Sequence, residues 1–242
     1  GSSSFYLKDL FPESLAGRKV LYELFPLDFE EFLLFKEKQR KTPSKFLLKA
    51  KNKNKVSYQL YNKLLEEYLE YGGFPAVVLS EDKEIKKQIL GDIFTSYFEK
   101  DVRSLADFKE LNKLRDLILL LTNRVGSKVE ISKIASEIGI SRETVYSYLN
   151  FLEKTYFIFL ISPFSQNRDT EVRAAKKLYF CDVGLLDYLG KVSYGSIFEN
   201  FVFNNLRKYG VVNYYQRYKG QEIDFIIDGK FAFEAKIKTS EF

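Results

Sequence analysis

From Ile223 to Ile237 every odd position is apolar except Gly229, and the even positions are mostly charged. Period-2 alternation on both sides of Asp228-Gly229 dictates two strands and a turn, with one apolar face and one polar face. The apolar set also limits the register. A two-residue turn at Asp228-Gly229 would pair odd residues with even ones and split the apolar face. A three-residue turn over Ile227 to Gly229, with Gly229 left-handed, keeps Ile223, Phe225, Phe231, Phe233 and Ile237 together. The polar face then gathers Asp224, Glu234 and Lys236.

Two carboxylates and an ammonium on paired strands suit a hard divalent cation. Magnesium takes oxygen ligands and keeps several waters. It can lower the pKa of bound water and stabilise in-line displacement at phosphorus. A nearby lysine would orient the water or offset developing negative charge. The bland reading of the same residues is a solvated sheet face on which Glu and Lys alternate.

The spacing D-x(9)-E-x-K at Asp224, Glu234 and Lys236 resembles the PD-(D/E)XK nuclease superfamily, the restriction-endonuclease-like fold. Members often add a glutamate on the preceding helix. Glu199 occupies that place, in a stretch from Ser196 to Leu206 with helical spacing at Ile197, Phe198, Phe201 and Val202. The resemblance implies Glu199, Asp224, Glu234 and Lys236 as catalytic residues, and Asp224, Glu234 and Glu199 as ligands of Mg2+.

Composition excludes several other chemistries. The 242 residues are 45% hydrophobic and 29% charged, which is globular, and they contain no His. Imidazole acid–base catalysis, His metal ligands and Ser-His-Asp or Cys-His pairs are therefore absent. Cys181 is the only cysteine, so no disulfide or thiolate zinc cluster forms within the chain. It lies in Leu178-Tyr179-Phe180-Cys181-Asp182-Val183 and reads as a buried strand residue in a reducing, cytoplasmic setting. No apolar run reaches membrane-spanning length. The net charge is +5, yet residues 36–55 alone hold nine basic side chains against Glu37. That tract reads first as a solvated linker and second as a phosphate-binding segment.

Further elements follow from periodicity. Residues 4–16 read as a short helix and Lys19 to Leu24 as a strand ended by Pro26. Asp28 caps a helix over Phe29 to Phe35. Tyr58 to Tyr71 is amphipathic, and Gly72-Gly73-Phe74-Pro75 breaks it. The Gly pair lacks the G-x(4)-G-K-[ST] pattern, so it is a turn and not a phosphate cradle. Another helix runs from about Glu84 to Asp101, and an apolar one from Leu111 to Leu121. Val129 to Glu153 resembles a helix-turn-helix. Ala135 is small where the helices cross, Gly139 permits the turn, and Ser141 caps the second helix. Tyr156 to Ile161 then suits the strand of a wing. On a DNA-binding reading Arg142, Glu143, Tyr146, Ser147 and Asn150 face a groove. The alternative is a winged helix that packs between domains.

The order of these pieces resembles the part of archaeal-type AAA+ ATPases that follows the Walker motifs. Gly1-Ser2-Ser3-Ser4, Ser14 to Arg18 and Glu23 to Phe32 are similar to the end of the ATPase core. Tyr71-Gly72-Gly73-Phe74-Pro75 and the helix up to Arg103 look like the lid. Lys177 to Leu185, Phe198-Glu199-Asn200 and Glu222 to Phe225 resemble the family's nuclease-like domain. The resemblance implies a mixed, multidomain chain: an α-helical lid, a winged-helix domain and an α/β restriction-endonuclease-like domain. The implied segments are 1–35 (end of the ATPase core and start of the lid), 36–55 (basic linker), 56–106 (lid), 107–165 (winged helix) and 166–242 (nuclease-like domain). By the same likeness Arg18 is an arginine-finger candidate. Walker A and Walker B would lie upstream of Gly1, so ATP is expected only in an intact parent. DNA is the expected partner, with homo-oligomers allowed and no membrane. Two rivals stand beside this reading: a metal-dependent DNA nuclease, and a non-enzymatic DNA-binding regulator.

Overall fold

The computed structural model describes residues 23–37, 55–102, 111–165, 174–216 and 220–237. The expected helix at 4–16, the arginine-finger candidate Arg18 and most of the basic tract lie outside them. The architecture is mixed α/β with two small antiparallel sheets. Among the described residues no helix is long and apolar enough to cross a membrane.

Helix α1 (Phe29–Phe35) starts as its sequence dictates. The Asp28 carboxylate accepts from the N–H groups of Glu30 and Glu31 at 2.8 and 3.0 Å, and Glu31 accepts from the Asp28 N–H at 2.9 Å. This reciprocal cap satisfies donors the helix leaves open. Helix α2 (Lys55–Tyr71) buries Tyr68, Leu69 and Tyr71 and ends at Gly72, whose φ is +75°. The glycine pair does break the helix, but Pro75 at once opens a further short helix, α3 (Pro75–Leu79). Proline is tolerated there because the first turn needs no N–H donor. Helix α4 (Lys83–Ser96) runs into a π-helical segment, Tyr97–Val102, where one regular helix to Asp101 is expected. Tyr97 there stacks on Phe157 with centroids 4.6 Å apart and shares a 2.8 Å hydrogen bond with Thr155.

Helix α5 (Leu111–Thr122) buries Leu114, Leu117, Ile118 and Leu121 on one stripe. Helices α6 (Ile131–Ile138) and α7 (Arg142–Lys154) meet at Gly139, left-handed with φ +73°. Its N–H reaches the Ala135 carbonyl at 2.9 Å, which closes α6. Ser141 then accepts from the Thr144 N–H at 3.1 Å and opens α7. Strand β1 (Ile158–Ile161) pairs antiparallel with β2 (Lys177–Phe180), from Ile158↔Phe180 to Ile161↔Lys177. The connection between α5 and α6 touches the same sheet through bridges Val125↔Leu178 and Lys128↔Lys177. Cys181 is buried as expected, but just past the strand, and Tyr156 is left-handed before β1, so the expected strand begins two residues late. Glu23 and Leu24 carry no strand.

The C-terminal part runs α8 (Val183–Leu189), α9 (Tyr194–Leu206), a 3-10 turn (Arg207–Tyr209), and strands β3 (Val212–Gln216), β4 (Glu222–Ile227) and β5 (Phe231–Phe233). The three strands form one antiparallel sheet in the order β3-β4-β5. A bridge between Pro163 and Tyr214 joins it to the β1–β2 sheet. Tyr179 stacks on Phe203 with centroids 4.5 Å apart, and Phe203 in turn meets Phe225 at 6.3 Å. These rings tie β2, α9 and β4 into one core.

The hairpin corrects one expectation. The pairs are Ile227↔Phe231, Ile226↔Ala232 and Phe225↔Phe233, so the turn is Asp228–Lys230 and not Ile227–Gly229. Both turns have three residues, and both pair odd positions with odd. Hydrophobic alternation therefore fixes the parity but cannot tell the two registers apart. Asp228 and Gly229 are both left-handed, at φ +48° and +66°. Asp228 is tolerated in that conformation, and its carboxylate accepts from the Val211 N–H at 2.8 Å.

A second junction holds the helical and C-terminal parts together. The buried Asp182 carboxylate accepts from the N–H of Leu185, capping α8, at 2.8 Å and from the N–H of Gly73 at 2.7 Å. A side chain at Gly72 would place its Cβ 2.1 Å from the Asp182 oxygen, and one at Gly184 would strike the Tyr71 carbonyl carbon at 2.0 Å. Both glycines are thus required for close approach. Burial raises the Asp182 pKa to about 6, against the hydrogen bonds from Gly73, Leu185 and Gly184 that lower it.

Candidate functional site

The structure brings Glu199 of α9 and Asp224 of β4 to the same point. What they share is a lysine from β2, absent from the expected set. The Lys177 ammonium lies 3.8 Å from Glu199 Oε1 and 3.9 Å from Asp224 Oδ1, and forms a closer ion pair with Glu222. Lys177 is 3% exposed. On its apolar side it sits 5.5 Å from the Tyr214 ring centroid. An ammonium in this position is compatible with burial because carboxylates surround it.

Each carboxylate is held by more than the lysine. The Tyr179 hydroxyl donates to Glu199 Oε1 at 2.7 Å. Gly126, between α5 and α6, has φ +73°, and a Cβ there would fall 2.7 Å from Glu199 Oε1. The missing side chain makes room for the carboxylate. Burial is the main reason the Glu199 pKa is raised, with Asp224 and Glu222 adding to the rise, while Tyr179 and Lys177 oppose it. Burial and the Glu199 charge also push the Tyr179 phenol up. Asp224 Oδ2 accepts from the Ala235 N–H at 2.9 Å, which ties β4 to the chain beyond β5.

Glu234 and Lys236 take a different place. Extending the hairpin register by one pair sets Asp224 against Glu234. Lys236 is ion-paired with Glu234, and its side chain is 74% exposed. Its pKa is raised by Glu234 first and by Asp224 more weakly, so the Asp224 charge reaches it. The four expected residues thus divide: half-buried Glu199 and Asp224 join Glu222 around the buried Lys177, while Glu234 and Lys236 pair at the rim. Lys177, Tyr179, Glu222 and Gly126 are not among the expected residues, although Lys177, Tyr179 and Glu222 stand in the segments that carry the resemblance.

Magnesium does not fit this arrangement. Among the described residues no group of three or more His, Cys, Asp and Glu side chains is placed to hold a metal ion. A hard cation needs oxygen atoms closing on it at about 2.0–2.6 Å. Here the space between Glu199 and Asp224 is taken by the Lys177 ammonium.

A second polar surface lies on α7. Arg142, Glu143, Tyr146, Ser147 and Asn150 are all exposed, while Val145, Tyr148, Leu149 and Leu152 are buried behind them. Tyr146 is 61% exposed. The helix is fixed by its core face, by the Ser141 cap and by Gly139, and nothing on its outer face is needed for packing.

Residues 62–195 match the family described as Domain of unknown function (DUF8612). The chain belongs to that family. Residues 194–241 match a second, Domain of unknown function (DUF4143), a domain often found C-terminal to AAA-type ATPase modules. Similar proteins include the uncharacterized protein MJ1544 of Methanocaldococcus jannaschii, 35% identical over 95% of this chain and 52% of its own length. An uncharacterized protein of Haemophilus influenzae is 31% identical over 93% of this chain and 54% of its own. The uncharacterized protein MJ1637 of M. jannaschii is 29% identical, over 84% and 46%. The chain spans about half the length of these relatives. No solved structure matches it. The boundary between the two matched regions falls at the start of α9, so Lys177 lies in the DUF8612 region and Glu199, Glu222 and Asp224 in the DUF4143 region.

Proposed function

We propose that this DUF8612 chain is the C-terminal part of an archaeal-type AAA+ ATPase and that it engages DNA through the outer face of α7. The supporting observation is the helix pair α6–α7 around left-handed Gly139, with the β1–β2 sheet beside it and Arg142, Tyr146, Ser147 and Asn150 turned to solvent. We read this as a winged helix, a motif in which the second helix presents its polar face to the major groove. The DUF4143 match and the length of the relatives support an ATPase parent. In such a parent, ATP turnover would drive movement of the DNA-engaging part.

Arg142 at the start of α7 suits a base edge or a phosphate, and Tyr146, one turn on, offers a flat ring and a hydroxyl. Glu143 beside them disfavours phosphate, so contact is expected from few positions and with modest salt dependence. Fluorescence anisotropy with labelled duplex DNA at several salt concentrations tests this. Binding that weakens for Arg142→Ala and for Tyr146→Ala supports the reading. Binding unchanged in the double variant transfers the role of α7 to packing against a partner.

Metal-dependent cleavage is the weaker reading. Its support is that Glu199 of α9 and Asp224 of β4 come together, as the nuclease resemblance implies. Lys177 then neutralises them from within.

A further inference from the structure

The carboxylates around Lys177 come from two separate elements, Glu199 from α9 and both Glu222 and Asp224 from β4. They converge on the one ammonium. The Tyr214 ring lies beside the ammonium, and Tyr179 and the chain at Gly126 close on Glu199. The lysine expected from the E-x-K spacing, Lys236, is outside this enclosure and bound to Glu234. Two lysines thus stand at two depths of one acidic face, and only the one from β2 is inside.

We propose that Lys177 is the resident cation of this cluster, and that a divalent metal binds Glu199, Glu222 and Asp224 only when its ammonium withdraws. Three carboxylates gathered at one point repel one another when no cation lies between them, and burial makes Glu199 in particular costly to ionise. The ammonium relieves both effects without any metal. An incoming ion competes with a tethered charge already in place, so metal affinity is suppressed while β2 is seated. Because Lys177 is on β2 and the carboxylates are on α9 and β4, metal occupancy would require the β1–β2 sheet to release its hold on the C-terminal sheet. The enclosure is a device that couples the two matched regions. It is independent of the α7 face and stands or falls without DNA.

Manganese binding tests this directly, by calorimetry and by melting temperature with and without MnCl2. The wild-type chain is expected to show no saturable Mn2+ binding at micromolar concentrations and no rise in Tm. Lys177→Met keeps the apolar stem and removes the charge. It is expected to melt lower without metal, to gain Mn2+ affinity by about tenfold or more, and to rise in Tm by about 4 °C or more with Mn2+ in excess. Adding Asp224→Asn to Lys177→Met abolishes both gains. Micromolar Mn2+ binding by the wild type that Lys177→Met leaves unchanged overturns the proposal. So does a folded Lys177→Met that binds Mn2+ no better than wild type. If Lys177→Met does not fold alone, its refolding in millimolar Mn2+ is the supporting result. Failure of both it and Lys177→Met/Glu222→Gln to gain from Mn2+ overturns the proposal.

Discussion

The polar groups on α7 and those around Lys177 are arranged in opposite ways. On α7, Arg142, Tyr146, Ser147 and Asn150 face solvent, and the fold is complete behind them. Around Lys177 the polar groups face one another, and the fold is built through them. An exposed polar face can change without consequence for stability, so its residues are free to serve a partner. An enclosed cluster cannot lose one member without leaving another charge unpaired, so its first role is structural, and any chemistry must begin by opening it.

The largest effect should come from breaking the enclosed cluster. Lys177→Met leaves Glu199, Glu222 and Asp224 without their shared cation. Removing one partner from a fully buried ion pair costs about 3–5 kcal/mol, and because these carboxylates keep 21–34% of their side-chain surface the loss here should lie between that and the roughly 1 kcal/mol of a surface pair. Chemical denaturation should show a loss of that size near neutral pH, and a smaller one in acid, where Glu199, its pKa raised by burial, takes up a proton. A loss below about 1 kcal/mol, typical of a surface ion pair, would remove the contrast with α7.

Asp182 sharpens the same contrast, because it is enclosed with no ion pair among the described residues. One pKa unit is about 1.4 kcal/mol, so a rise from 3.8 to about 6 makes ionisation cost about 3 kcal/mol in the fold. The folded state holds its proton where the unfolded chain has lost it. Stability from this group is therefore complete below pH 4 and falls as pH rises through about 6. Glu199, also raised, acts in the same direction. Asp182→Asn should flatten this part of the pH profile. It should also cost about 1–3 kcal/mol at pH 4, because the amide nitrogen cannot accept from Gly73 or Leu185. An unchanged slope between pH 4 and 7 would show that Asp182 is ionised in the fold without penalty.

What the sequence made legible follows the range of the interaction. The Asp28 cap, the Ser141 cap, the Gly139 turn and the apolar stripes of α5 and α7 are decided within a few residues, and they stand where local chemistry puts them. The parity of the hairpin was also legible, since placing Phe225 opposite Phe233 requires it, although Phe231 and Ile237 of the expected apolar face are exposed. The turn itself was displaced by one residue, because both candidates satisfy the same alternation. Long-range contacts left no local signal. Tyr179 reaches Glu199 across 20 positions of chain, and Gly73 reaches Asp182 across 109. Lys177 in particular reads as one more basic residue after Lys176, and only its strand pairing with Ile161 turns it inward. The convergence of Glu199 with Asp224 was expected from a resemblance, while the cation between them was not.

On α7 the effect should appear in binding and not in stability. Arg142→Ala should weaken duplex DNA binding by about 1–3 kcal/mol if it contacts a base, or flatten the salt dependence if it contacts a phosphate. Its unfolding free energy should stay within about 0.5 kcal/mol of wild type. A large loss of stability would place Arg142 in an interior contact and dissolve the distinction between the two clusters.

The smallest effect should come from Lys236, and it is the closest control for Lys177. Both are lysines beside carboxylates of one acidic face, and the Asp224 charge reaches both. They differ in depth. Lys236 meets Glu234 in water, where screening and side-chain entropy offset most of the attraction, and neither group is stranded when the other is removed. Lys236→Met should therefore leave the melting temperature unchanged and leave Mn2+ binding as weak as in wild type, while Lys177→Met changes both. If Lys236→Met alone opened the cluster to Mn2+, the rim lysine would be the guarding charge. The depth of burial would then have misidentified the lysine that controls this face.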